Sequence, residues 1–76
     1  MDLKINVGSA LSPKEVIVSK SLTVRELFEG QSVSFNEGQV THNGANLSSA
    51  QMDQTLEQNN VEDGDYIVAV SKHSNG

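Results

Sequence analysis

The sequence contains no cysteine and no tryptophan, only one proline, one tyrosine and two phenylalanines, and five basic residues against ten acidic ones. Without cysteine there is no disulfide, no thiolate nucleophile and no thiolate metal site. That absence leaves the compartment open, because a cytosolic protein needs no disulfide. With so few aromatic rings, a stacking platform for single-stranded nucleic acid would be thin, and nucleic-acid binding is not expected. The net charge of -5 opposes attraction to phosphate backbones and anionic membranes. No apolar run approaches the roughly 20 residues that cross a bilayer. Met1-Asp2-Leu3-Lys4 lacks a basic segment followed by an apolar one, so no signal peptide is expected. These exclusions leave a cytoplasmic protein, binding neither nucleic acid nor membrane, as the expectation. Seventy-six residues make one domain, close to the size at which a core alone suffices.

What is present is strongly patterned. Leu3, Ile5 and Val7 alternate with Asp2, Lys4 and Asn6, which predicts a strand with one buried face. Gly8–Pro13 reads as a hairpin loop, and Glu15–Ser19 as a second strand with Val16 and Val18 inward. Thr23-Val24-Arg25-Glu26 fits a capping box, with Leu22 and Leu27 placed to staple the helix start. Val24, Leu27 and Phe28 share one helical face, and Gly30 is the expected stop. A helix this short must be held by packing on a sheet.

Beyond it, Val33 and Phe35 alternate with serines, and Asn36-Glu37-Gly38 reads as a turn. Gln39–His42 is a modest strand, closed by Asn43-Gly44 and a short return through Ala45-Asn46-Leu47. Ser48–Met52 starts a helical turn that nothing sustains, and Leu56 and Val61 are the inward anchors of a polar stretch. Asp63-Gly64-Asp65 turns into the last strand, Tyr66–Val70. The helix separates the first hairpin from the later strands, so the first and last strands can run parallel at the centre of one sheet. The predicted fold is α+β, a β-grasp: a mixed sheet of four to five strands packed on one helix. Residues 1–70 form the domain, and 71–76 a flexible C-terminal tail.

No catalytic constellation is visible. No serine sits in a nucleophile elbow, and no histidine or acid is spaced to activate one. No glycine-rich phosphate loop occurs. Glu62, Asp63 and Asp65 cluster in one turn, but without the spacing that assembles six or more oxygens around a hard cation, so a solvated turn is expected. His42 and His73 have no second ligand nearby in sequence and read as surface residues. Neither a metal nor a cofactor is expected, and the chain reads as non-enzymatic.

The order and spacing of Thr23-Val24-Arg25-Glu26-Leu27-Phe28, Val40 to Asn43-Gly44, Thr55-Leu56, Asn60-Val61, Asp63-Gly64-Asp65, Ile67 and Val70 resemble ubiquitin and the ubiquitin-like proteins. They are also similar to the bacterial sulfur carriers of thiamine and molybdopterin synthesis. The resemblance covers essentially the whole chain. It implies a small protein that works by protein–protein contact, through an apolar patch on the open sheet face, possible roles being a modifier or a carrier. It also implies that the Gly76 carboxylate is activated by an adenylating enzyme. Family tails end Gly-Gly, whereas Asn75 stands before Gly76 here. Asp63 occupies a position where the family often carries a chain-building lysine, so chain formation on this protein is not implied.

If parity follows the first strand, Ile67 and Ala69 face inward and Tyr66, Val68 and Val70 form an apolar stripe on the open face. The resemblance to ubiquitin implies Thr41 and Leu11 at its margin. Such a stripe marks an interaction site, or else a central strand that is apolar on both faces, or a register displaced by one residue. The expected form is a monomeric binding protein, with a carrier activated at Gly76 or a scaffold subunit of a larger complex as the alternatives.

Overall fold

The strict alternation at the N-terminus becomes β1 (Asp2–Ser9), with Leu3, Ile5 and Val7 buried and Asp2 and Lys4 exposed. The computed structural model describes residues 2–70. β1 pairs antiparallel with β2 (Ser12–Ser19) from Asp2↔Ser19 through to Ser9↔Ser12. The ladder therefore runs through the stretch expected to be loop, and only Ala10 and Leu11 remain as the turn. Gly8 makes this continuation possible. At φ +149° it takes a conformation few L-residues adopt, and a Cβ there would lie 3.1 Å from the Ser12 carbonyl oxygen.

α1 (Val24–Gly30) begins as its sequence requires: the Thr23 hydroxyl accepts from the Glu26 N–H, and the Glu26 carboxylate accepts from the Thr23 N–H. Val24, Leu27 and Phe28 are buried. The helix does end at Gly30, but the left-handed residue that closes it is Ser32, at φ 57°. The Val33 N–H reaches back to the Phe28 carbonyl and the Ser32 N–H to that of Glu29, a Schellman closure. Val33 and Phe35 form no strand. They pack half-buried on the core, with the Phe35 ring edge-on to Phe28 at 5.3 Å.

β3 (Val40–His42) and β4 (Ala45–Asn46) form a hairpin on Asn43 and Gly44, both with positive φ as a type I′ turn demands. The one-turn α2 (Ser49–Met52) carries a capping box of its own, Ser48 with Gln51, and buries Met52 completely. Thr55 and Gln58 repeat the same reciprocal bonds, and Asn60 at φ 59° lets the Val61 N–H close on the Leu56 carbonyl. Leu56 and Val61 are both buried, as their spacing suggests.

β5 (Tyr66–Ala69) lies in the middle of the sheet, parallel to β1 and antiparallel to β3, in the order β2-β1-β5-β3-β4. Val70 lies just past the strand, yet its N–H still donates to the Gln39 carbonyl at 2.7 Å. The core sits on the sheet face covered by α1 and α2 and includes Ile5, Phe28, Leu27, Met52, Leu56 and Ile67, all at most 1% exposed. Five strands with a crossing helix make the α+β β-grasp.

Candidate functional site: the open sheet face

Backbone parity determines what the uncovered face presents. Ile67 and Ala69 are buried against the helices, so Tyr66, Val68 and Val70 turn the other way. Tyr66 is 49% exposed and Val70 41%, while Val68 between them is half-buried. Gly8 flanks Val68 on one side and Thr41 on the other. The glycine leaves the valine uncovered on the β1 side. Thr41 is only 8% exposed, so it is a floor residue rather than the margin expected from sequence. Being opposite Val68 on an inner strand, it is covered by its neighbours. Leu11 is 94% exposed at the tip of the first hairpin, whose Ala10 N–H donates to the Ala69 carbonyl at 3.0 Å and holds that tip beside the end of β5. Gly76 and His73 lie outside the described residues.

The rim of this face is polar and fixed. The Asn6 amide donates to the Gly64 carbonyl at 3.3 Å. The Tyr66 N–H donates to the Asn43 side-chain oxygen and the Asn43 N–H to the Tyr66 carbonyl, each at 2.8 Å. The acidic turn proves to be a fastening. Asp63 accepts from the Lys4 N–H at 2.9 Å, and Asp65 from the Glu62 N–H at 2.9 Å. His42 is not a surface histidine: its Nε2 is 2.7 Å from Asp65, with both side chains more than four-fifths buried. Burial acts most strongly on the Asp65 carboxyl and pushes its pKa up. Hydrogen bonds from His42, the Glu62 N–H and Asn43 together outweigh that and hold it below the ordinary value. Among the described residues, no group of three His, Cys, Asp or Glu is placed to hold a metal ion.

Away from this face, Arg25 bridges Glu37 and, at 2.8 Å, Asp53, clipping α1 to the loops on either side. The Glu37 carboxyl is lowered chiefly by that guanidinium and then by the Ser49 hydroxyl. Two hollows open at one end of the sheet. One of about 170 Å³ is lined by Ser9, Phe35 and Val70 among others, and one of about 270 Å³ by Ser12, Lys14 and Gln31 among others.

Sequence reasoning missed Ile17. It is 67% exposed on the open face of β2, beside Lys4 of β1. Its position between two inward valines was the signal that would have found it.

No family model matches the sequence, and no curated protein matches it. Among solved structures, the chain is similar to the ubiquitin of Caldiarchaeum subterraneum, with 25% sequence identity, a TM-score of 0.68 and coverage of 100% of both chains. The fold is the ubiquitin-like β-grasp.

Proposed function

We propose that this ubiquitin-like β-grasp chain is a small, non-enzymatic binding protein of the cytoplasm. It captures a protein partner on Tyr66, Val68 and Val70, with Thr41 beneath them and Leu11 at the hairpin tip. The observation that carries the reading is the uncovered stripe on the central strand. Two large side chains of β5 and its extension, Tyr66 and Val70, stay 49% and 41% exposed on the face opposite the helices. An apolar stripe ringed by fixed polar groups suits the centre of an interface, with desolvated aromatic and aliphatic anchors inside a polar rim. Tyr66 supplies area and a hydroxyl, and Val68 and Val70 a shallow apolar floor.

The test is Val70→Asp. The account expects partner capture from an extract of the source cells to be lost while the thermal midpoint moves little. A large fall in the midpoint instead makes Val70 a core residue and removes the site. Activation of a carboxylate at Gly76, as a modifier or a sulfur carrier, is the alternative; it draws on the likeness to an archaeal ubiquitin and on no described residue.

A further inference from the structure

We propose that two copies of this chain pair through the free edges of their β2 strands, antiparallel about Val16, into one continuous sheet. The reasoning starts from which backbone groups β2 leaves unused. In β1, the Asn6 N–H donates to the Asp65 carbonyl and the Lys4 carbonyl accepts from the Gly64 N–H, so the even residues of β1 point toward β5. Its odd residues therefore bond β2. Their partners there are the even ones, Val18, Val16, Lys14 and Ser12. Pro13, Glu15, Ile17 and Ser19 consequently turn their backbone groups outward. β2 is the end strand of the sheet, and no described strand covers that side. Natural edges are blunted by short strands, bulges, proline and charged side chains, and β2 carries Pro13, Lys14 and Glu15 at its first half only. This one is 8 residues long, and its middle offers Ile17, 67% exposed.

A second copy fits this edge in one register. With Val16 opposite Val16′, where the prime marks the second copy, Glu15 faces Ile17′ and Pro13 faces Ser19′. Glu15 and Ile17′ exchange both backbone bonds. Pro13 has no N–H to give, and the Ser19′ carbonyl opposite does not need one, because it already accepts from the Leu22′ N–H within its own chain. The Ser19′ N–H meets the Pro13 carbonyl. No outward backbone group is left over.

Shifting the register loses this fit. Two residues one way sets Glu15 against Glu15′. Two the other way sets Lys14 against Lys20′ and asks the occupied Ser19′ carbonyl to serve Glu15. Charge agrees as well. On the open face the chosen register lays Glu15 across Ile17′, whose other neighbour is Lys4′. Those two Cα atoms would be about 10 Å apart, within reach of long side chains of opposite sign. On the other face Val16 and Val16′ extend the apolar surface on which the core already borders. The monomer expected from the sequence is replaced by a weak dimer, with both open faces side by side and unobstructed.

The experiment uses the absence of cysteine. In the proposed register the Val16 Cα atoms face each other at about 4.5 Å, a non-hydrogen-bonded pair within disulfide reach. The two Val18 Cα atoms are offset by about 13 Å along the strands, beyond it. Under mild oxidation at about 0.15 M salt, which screens the like net charges, Val16→Cys should cross-link at least about tenfold faster than Val18→Cys. Both valines are half-buried, so sedimentation of the unaltered chain provides the control. It should show dimer growing in below about 1 mM, consistent with a small interface, and Ile17→Glu, which sets like charges against Glu15 at both crossings, should abolish it with the melting temperature unchanged. Equal cross-linking rates, or a monomer throughout that range, overturn the proposal and leave the edge to a strand of another protein. Val70→Asp lies off this edge, so failure here is distinguishable from failure of the binding face.

Discussion

Asp65 joins three segments that are far apart in sequence. It caps the Glu62 turn, pairs with His42 on β3, and hands its carbonyl to the Asn6 N–H of β1. Because its carboxyl is held below the ordinary value, its stabilisation is fully present above the unfolded pKa and lost as pH falls through the folded one. Asp65→Asn is therefore expected to cost about 1 kcal/mol near neutrality. The gap to the unaltered chain should close as the pH is lowered below about 4, the ordinary aspartate value. Denaturant titrations across that range check it, and a gap that persists in acid contradicts the assignment. Thr23→Ala, which removes one half of the capping box, should cost about 1 kcal/mol; an unchanged unfolding midpoint would displace the helix start. The cap was readable from four adjacent residues. The role of Asp65 was not, because the groups it binds through its side chain and carbonyl include one 59 residues away in Asn6, and local composition suggests only a solvated turn.

At the scale of elements, reading succeeded where a pattern ran long enough to show its period. β1 has three inward–outward alternations, and α1 has three apolar residues on one stripe. α2 has four residues and one buried side chain, too few for any period, although Ser48 and Gln51 announce its cap. Met52 nonetheless belongs to the centre of the core at 0% exposure, and Met52→Ala should destabilise the protein by about 2–5 kcal/mol in chemical denaturation. A loss below about 0.5 kcal/mol would mean the site collapses freely or is not core. The stop of α1 shows the opposite limit. Gly30 had the right chemistry for a left-handed cap, yet the chain uses Ser32, because the closing bonds run from Ser32 and Val33 to Glu29 and Phe28. The first hairpin turned out tighter than its Gly, Ser and Pro content implied, since proline is tolerated on an edge strand and Gly8 absorbs the unusual backbone angle.

For the whole molecule, the parallel meeting of β1 and β5 and the inward parity of Ile67 and Ala69 followed from the order of the elements and the first strand's alternation. The parity in turn defines the open face. The depth of each residue on that face was beyond sequence: Thr41 sinks to 8% exposure because its strand is internal, while Ile17 stands out because β2 is at the edge. Fold alone does not assign function, and the claim that this face binds a partner rests on Tyr66, Val68 and Val70. The most direct test is quantitative affinity capture from source-cell extract with four baits: the unaltered chain, Val68→Asp, Val70→Asp and Ile17→Glu. The account predicts a protein retained by the unaltered chain and by Ile17→Glu, and lost with both aspartate variants while these remain folded. The same proteins retained by all four baits would contradict it.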